Sequence, residues 1–244
     1  MAIKRVVYSG VNPNRCPTGI PGFDELCKGG FVRNSTNAII GGPGTGKSTF
    51  LMQFLVNGAL KFNENGVYIS FEPSIEDLVE DGFSYGWDLV NLDKSNKCKL
   101  VKMSPKSSMK DMKEDIMNII SRYDIKRAVI DPITILLGNI DNGYQSRDVI
   151  FELSSLFKRL KVTLLIAEET AEEEIYSENE FILRAQFVKF VSDSVIRLHS
   201  SGLGGISDRA LRIIKMRRTD HIRGPVPFAI TNKGILVMQE KKAR

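Results

Sequence analysis

The nine residues GGPGTGKST at positions 41–49 constrain the fold of this chain more than any other segment. They follow the apolar run 38–40 and precede a helical candidate at 47–61. They match the pattern G-x-x-x-x-G-K-[S/T], whose glycines let the backbone fold tightly enough for successive N–H groups to face phosphate oxygens. The N-terminus of the following helix adds the positive end of its dipole. The segment therefore predicts a phosphate-binding loop, or P-loop, between a strand and a helix.

Two side chains of the P-loop have predicted roles in binding ATP together with Mg²⁺. Lys47 would reach the β- and γ-phosphates, and the Ser48 hydroxyl would ligate the metal. A chance match in a chain of this length is on the order of one in a hundred; the alternative is a glycine-rich turn that only caps a helix. The other loop residues expected to bind the nucleotide are Gly42, Gly44, Thr45, Gly46 and Thr49.

Asp131 is the candidate for a second contact to Mg²⁺. It ends the segment RAVID at 127–131, in which three apolar residues precede the aspartate. An aspartate at the end of a neighbouring strand commonly completes a P-loop magnesium site. The pair formed with Pro132 is also a turn signal, which is the ordinary explanation of a strand-end aspartate. With a P-loop upstream, we predict the metal-binding role.

Glu72 is the candidate for the residue that orients or deprotonates water. It follows the predicted strand 66–71. If that strand lies beside the strand that ends in the P-loop, Glu72 is the next residue in spatial order, where a general base is needed. A glutamate at a strand end is otherwise a solvated side chain, so spacing alone leaves both interpretations open.

Strand-like runs alternate with amphipathic helical stretches over most of the chain, a pattern that predicts an α/β fold with a mostly parallel central sheet flanked by helices. The last four strand-like runs are close in sequence and predict antiparallel pairing beyond one edge of that sheet. We expect one domain over 1–244, with peripheral tails at 1–16 and 239–244. The predicted strands are 37–41, 66–71, 99–103, 127–131, 162–167, 194–200, 210–216, 226–230 and 234–238, and the predicted helices are 47–61, 74–85, 108–121 and 146–159.

Cysteine usage and hydropathy predict a soluble cytoplasmic protein without a membrane span. Cys16, Cys27 and Cys98 form no CxxC pair, and their odd number suits a reducing compartment. The first ten residues lack the apolar core of a signal peptide, and no run approaches the ~20 apolar residues of a membrane helix.

Several ordered motifs together resemble the single KaiC-type domain of the RecA superfamily of P-loop ATPases. The motifs are PTGIPGFDEL at 17–26, the glycine pair at 29–30, the P-loop, VYISFE at 67–72, AVIDP at 128–132, FVSDSVIRL at 190–198 and KMRRTDH at 215–221. The resemblance covers about residues 17–237, and it implies a RecA-type P-loop NTPase fold with C-terminal antiparallel strands.

The resemblance implies roles for four residues. It places the catalytic glutamate at Glu72, which acts alone here because the next residue is Pro73 rather than a second acid. In this family ATP lies between adjacent subunits of a ring, and a K-x-R pair reaches the γ-phosphate of the neighbour. Lys215 and Arg217 match that pair, and His221 matches a histidine four residues further on. Strand alternation explains the pair equally well, since 215 and 217 would share one face, opposite 214 and 216.

Two departures from the family pattern bear on function. The segment 167–169 reads AEE where the family commonly has T-T-E, so a role in sensing the γ-phosphate stays open. Lys189 and Phe190 occupy the positions of the adjacent Ser-Thr pair of the phosphorylating clock domain, so autophosphorylation is not expected there.

We therefore expect a slow, Mg²⁺-dependent ATPase that forms a homohexameric ring and controls assembly and protein partners through its nucleotide state. The alternative is a RecA/RadA paralogue acting on single-stranded DNA, because the segment from residue 204 onward has ten Lys/Arg and three Asp/Glu. DNA is not favoured, since the loop at 168–180 contains seven glutamates that would repel phosphates. A small-molecule P-loop kinase and a nucleotide-gated scaffold with negligible turnover are two further alternatives.

Overall fold

The computed structural model describes residues 14–138, 140, 143–170, 187–202 and 208–238. In chain order its elements are β1 (Arg15–Cys16), α1 (Phe23–Leu26), β2 (Phe31–Val32), β3 (Thr36–Gly41), α2 (Lys47–Lys61), β4 (Asn65–Ser70), α3 (Ile75–Ser84), α4 (Leu89–Lys94), β5 (Cys98–Lys102), α5 (Met109–Tyr123), β6 (Ile125–Asp131), α6 (Ile133–Gly138), α7 (Gly143–Arg159), β7 (Thr163–Glu169), β8 (Ser194–Ser200), β9 (Arg209–Met216), β10 (Val226–Thr231) and β11 (Gly234–Val237).

Nine strands form one mixed sheet, which confirms the predicted α/β architecture. Their order is β11-β10-β9-β8-β3-β7-β6-β4-β5. The six strands from β8 to β5 are parallel, and β9, β10 and β11 follow as an antiparallel extension at one edge. The P-loop strand β3 is therefore in the interior of the sheet.

The prediction that all four late strands pair antiparallel is wrong for β8. This strand is parallel to β3, and only its other edge pairs antiparallel, with β9. The chain enters β8 from a helical stretch at 187–191, and the Asp193 N–H donates to Thr36 O at 2.7 Å. This helical stretch brings the chain to the amino end of β3, whereas a tight turn would have reversed its direction.

Alternate side chains of the central strands supply two cores, one on each face of the sheet. Along β3, Ile39 packs toward α2, while Ala38 and Ile40 pack on the opposite face with residues of α5 and α7. All six residues of β3 are buried. Its central residues 38–40 are apolar, as expected of a parallel strand covered on both sides.

The buried side chain of Arg127 ties the start of β6 to α2. Its Nε lies 2.7 Å from Glu64 Oε2, and its Nη1 donates to Phe54 O at 3.1 Å. A Cβ on Gly58 would lie 2.5 Å from Arg127 Cδ, so α2 needs glycine at this point. An ion pair removed from water requires such close partners. The contact fixes β6 against α2, and the far ends of these two elements carry Asp131 and Ser48.

The short elements α1, α4, α6, β1 and β2 were not predicted, because none is long enough to show a period. Arg15 and Cys16 fall in the predicted N-terminal tail, yet they pair with Val32 and Phe31 and are buried. Two residues of the predicted tail thus belong to the folded part of the chain. No helix in the described ranges is long and apolar enough to cross a membrane.

Candidate functional site

The P-loop connects the carboxyl end of β3 to the start of α2, as predicted. Gly44 and Gly46 have left-handed backbone angles, with φ of 71° and 98°, which side chains other than glycine rarely adopt. A Cβ on Gly41 would lie 2.5 Å from Leu198 O. The Thr45 hydroxyl donates to Gly42 O at 2.8 Å and closes the loop. The local backbone therefore requires glycine at positions 41, 44 and 46.

Lys47 is buried at the base of the loop, with 7% of its surface exposed. Its Nζ donates to the carbonyl oxygens of Gly41 and Gly42, each at 2.9 Å, and lies 3.9 Å from Glu169 Oε1. Burial lowers the pKa of this ammonium group, while the carboxylates of Glu169 and Asp131 oppose the shift. Two carbonyl oxygens hold the ammonium group in the loop, and phosphate oxygens are able to take their place.

Ser48, in the first turn of α2, and Asp131, the last residue of β6, lie side by side. The Asp131 carboxylate is 3% exposed and accepts hydrogen bonds from Ser48 and from the Tyr68 hydroxyl. Burial raises the pKa of this carboxyl group, and the two hydrogen bonds oppose the shift. The hydroxyl and the carboxylate that the sequence predicts as magnesium ligands thus lie next to each other.

The chemistry of this pair fits magnesium rather than a metal held by protein alone. Among the residues that the structure describes, no group of three or more His, Cys, Asp or Glu side chains is placed to hold a metal ion. Magnesium is usually held by one or two protein oxygens together with substrate phosphates and waters. A hydroxyl and a carboxylate beside a P-loop meet that requirement.

Glu72 lies at the same end of the strands as the P-loop, but its strand β4 does not meet the condition of lying beside the P-loop strand β3. β7 and β6 separate β4 from β3, because β4 pairs with β6. Ser70 is opposite Asp131 in that pairing, and the Phe71 N–H donates to Asp131 O at 3.0 Å. The exposed Glu72 therefore follows β4, which lies beside the strand of Asp131 and is separated from the P-loop strand by two strands.

Pro73 is part of the turn that holds Glu72. Its carbonyl oxygen accepts hydrogen bonds from Ser70 Oγ at 2.6 Å and from Lys102 Nζ at 3.1 Å. Lys102 Nζ also donates to Glu72 O at 2.6 Å. These contacts tie both sides of the Glu72 peptide to the ends of β4 and β5 while its carboxylate stays exposed to solvent.

Lys215 and Arg217 lie at the opposite end of the strands, near the amino end of β3. Lys215 Nζ donates to Ser192 O at 2.7 Å, and Arg217 Nη1 lies 3.6 Å from Asp193 Oδ1. Burial and the nearby Arg217 lower the pKa of Lys215, while Asp193 opposes the shift. Asp193 in turn is hydrogen-bonded to Thr36, the first residue of β3.

The P-loop begins at the other end of β3, five residues after Thr36. Five steps along a strand separate the two ends by about 16 Å. Lys215 and Arg217 therefore lie far from the P-loop of their own chain.

The predicted alternation around Lys215 is wrong because the pairing contains a bulge. The register with β8 shifts between Val195 and Ile196, so Val195 faces Lys215 while Ile196 faces Ile213. Ile214 is consequently 46% exposed, whereas Ile213 and Met216 are buried. Simple alternation therefore does not explain the K-x-R spacing, since Arg217 lies beyond the end of β9.

His221 follows the same strand end and lies near α1. Its Nδ1 is 2.9 Å from Ile222 O, and the Ile222 N–H donates to Leu26 O at 3.1 Å. The preceding Asp220 forms an ion pair with Lys28 at 3.0 Å. The loop that carries His221 is thus anchored to the N-terminal part of the chain, away from its own P-loop.

Sequence reasoning missed or left without a role four residues that contact the site. Tyr68 and Glu169 approach Asp131 and Lys47, as described above. Arg209 begins β9 at the P-loop edge and donates from Nη1 to Gly44 O at 2.7 Å. The Tyr85 and Thr49 hydroxyl oxygens are 3.2 Å apart. Two of them had a usable signal: a tyrosine inside a buried strand such as Tyr68 needs a polar partner, and Glu169 matches the glutamate of the T-T-E pattern.

Part of two predictions lies outside the described residues. This holds for the acidic stretch 168–180 beyond residue 170, on which the argument against DNA rests. The predicted C-terminal tail at 239–244 is also outside them.

Comparison with known proteins gives consistent matches over nearly the whole chain. The family model "ATPase: KaiC" matches residues 16–242. The circadian clock oscillator protein KaiC of Prochlorococcus marinus is 34% identical over 232 residues, which are 91% of this chain and 45% of that protein. KaiC of Synechococcus elongatus is 33% identical over 227 residues, 89% of this chain and 43% of that protein.

A crystal structure of a KaiC-like protein from the archaeon Pyrococcus horikoshii superposes with a TM-score of 0.80 at 30% identity. The superposition covers 92% of this chain and 99% of the archaeal one. By contrast, the chain spans about half the length of the curated relatives that it matches.

Proposed function

Since the chain belongs to the KaiC ATPase family, we propose that it is a Mg²⁺-dependent ATPase whose active site is completed between neighbouring subunits. One observation carries the proposal. The phosphate-binding group around Lys47 lies at the carboxyl end of β3, whereas the cations Lys215 and Arg217 lie beside its amino end. Only a second copy of the chain brings both groups to one nucleotide.

The P-loop residues and the Ser48–Asp131 pair would hold the nucleotide and its metal. Lys47 would exchange the carbonyl oxygens of Gly41 and Gly42 for phosphate oxygens, which keeps its buried charge paired. Ser48 and Asp131 would hold Mg²⁺, whose charge neutralises the phosphates when it is bound. The site thus binds phosphates with few changes in the positions of its own side chains.

Glu72 would orient a water molecule and accept its proton. Its exposed carboxylate is available for that contact, and the turn at Pro73 holds its backbone. No second acid follows it, so one carboxylate would serve both to position and to deprotonate the water.

The neighbouring subunit would supply Lys215 and Arg217 to stabilise the charge that develops on the γ-phosphate. Both cations are held by the segment 189–193 in this structure, so each has to leave these contacts to reach a phosphate. This requirement supports slow turnover. His221 would join the same interface, because it lies on the loop that follows Arg217.

Our proposal includes a closed homo-oligomer, since the two ends of one subunit are different surfaces and generate a head-to-tail ring. The ring would have six subunits, which is the usual number in the family. Nucleotide state would control its assembly and its binding of protein partners, and its location would be cytoplasmic. Cysteine usage supports that location: all three cysteines are buried free thiols.

Steady-state ATP hydrolysis tests the proposed activity. We expect slow turnover that needs Mg²⁺, stops with EDTA and does not respond to single-stranded DNA at low or high salt. Turnover stimulated by DNA at low salt only would favour the RecA/RadA alternative, because phosphate contacts weaken steeply as salt rises. ATP binding without measurable turnover would favour the nucleotide-gated scaffold.

A further inference from the structure

Tyr68 lies beneath the Ser48–Asp131 pair, and the function proposed so far gives it no role. It is on β4, 1% exposed, with its ring in the core on the α2 face of the sheet. Its hydroxyl donates a short hydrogen bond to Asp131 Oδ2 and also interacts with the Ser48 side chain. Three side chains from β4, β6 and α2 therefore meet at one carboxylate.

The strand register explains how the tyrosine reaches the aspartate. Tyr68 pairs with Val129 across β4 and β6. Asp131 is two residues further along β6, so its side chain leaves the same face of the sheet as that of Val129. Two residues rise about 6.6 Å along a strand, a distance that the long tyrosine side chain spans when it leans along the strand.

A buried tyrosine needs a hydrogen-bond partner, and a backbone carbonyl would satisfy that need equally well. Here the partner is the carboxylate that we assign to Mg²⁺, and the same carboxylate accepts from the P-loop hydroxyl of Ser48. The tyrosine hydroxyl occupies Oδ2 and restricts rotation of the carboxylate. The remaining oxygen is therefore held in one orientation.

We propose that Tyr68 is a positioning residue that orients the Asp131 carboxylate for magnesium binding. The inference rests on the proposed function, since it assigns Tyr68 to the metal of the same site. Residues that hydrogen-bond to metal ligands typically contribute about 10- to 100-fold to metal affinity. A role in folding alone would leave metal affinity unchanged.

The test compares Tyr68→Phe with the unchanged chain in a binding experiment that needs no turnover. Phenylalanine keeps the buried ring and removes only the hydroxyl. With ADP present, Mn²⁺ affinity measured by the EPR signal of free Mn²⁺ should fall about tenfold. ADP affinity in EDTA should stay the same. Tyr123→Phe is the control. Tyr123 is the last residue of α5, is half-buried and has Lys99 over its ring, and the variant should bind Mn²⁺ as the unchanged chain does.

A double-mutant cycle separates positioning from a general effect on the fold. If Tyr68 acts through Asp131, Tyr68→Phe has no further effect on Mn²⁺ affinity in a chain that already carries Asp131→Asn. The same tenfold loss in both backgrounds would overturn the assignment. So would an unchanged Mn²⁺ affinity in Tyr68→Phe while the unchanged chain binds Mn²⁺ normally. Failure of the unchanged chain to bind Mn²⁺ with ADP would instead overturn the proposed metal site, and the role of Tyr68 with it.

Discussion

Lys47→Ala should weaken ATP binding by at least about 100-fold, because several charge-assisted contacts to phosphate are lost and each contributes ~1.5–3 kcal/mol. The same change should leave the free energy of unfolding nearly unaltered or raise it. The ammonium group is buried, and burial lowers its pKa, so its removal relieves a cost of folding. Calorimetric titration with ATP and urea unfolding measure the two effects separately.

Lys61→Ala is the matched control for this change. Lys61 is the last residue of α2, and its Nζ donates to a backbone carbonyl, Gly19 O, at 2.9 Å. It differs from Lys47 in lying at the end of the helix that is far from the P-loop. ATP affinity should be unchanged in Lys61→Ala. Retained tight binding in Lys47→Ala would rule out the P-loop as the nucleotide site.

Glu72→Gln should bind ATP with ordinary affinity and lose about 10²- to 10⁴-fold in turnover, the usual contribution of a general base. Glutamine keeps the size of the side chain but is unable to accept the proton from water. The side chain is exposed, and its backbone contacts to Lys102 do not involve the carboxylate, so the fold should be unaffected. Single-turnover hydrolysis and ATP titration of the variant provide the measurement.

Glu76→Gln tests whether any acid near the turn would give the same effect. Glu76 is in the first turn of α3, four residues after Glu72, and is exposed. Its replacement should leave turnover within about twofold of the unchanged chain, because surface substitutions away from the site have small effects. An unchanged rate in Glu72→Gln, or an equal loss in both variants, would contradict the assignment of Glu72 as the base.

The long regular elements could be predicted because their signals are local. α2 has the bounds that the sequence predicts, since Gly46 precedes it as the N-cap and apolar residues recur along its length. The strand Ser194–Ser200 was also predicted with its observed bounds, but its direction was not. Strand direction depends on where the preceding segment packs, and a pairing rule based on sequence distance has no access to that.

The P-loop half of the candidate site was equally predictable from the sequence, whereas contacts between distant segments were not. Ser48 and Asp131 follow from a motif and from a strand end, and the structure brings them together. The contact of Tyr68 with Asp131 depends on the register of two strands 63 residues apart in sequence. The bulge beside Lys215 likewise depends on its pairing with β8. Neither the contact of Tyr68 with Asp131 nor the bulge produces a periodic pattern in the amino-acid sequence.

Mixing two inactive variants tests the shared active site most directly. Arg217→Ala subunits keep Glu72, and Glu72→Gln subunits keep Arg217. In an equal mixture of exchanging subunits, about a quarter of the head-to-tail interfaces contain both intact residues. We predict that ATP hydrolysis returns to roughly that fraction of the activity of the unchanged chain.

The control mixes Glu72→Gln with Lys47→Ala. These two residues belong to the same side of the interface, so no site regains both, and the mixture should stay inactive. Recovery with Arg217→Ala and none with Lys47→Ala is the result that the account predicts. No recovery at any ratio of Arg217→Ala to Glu72→Gln, in subunits shown to exchange, would contradict it.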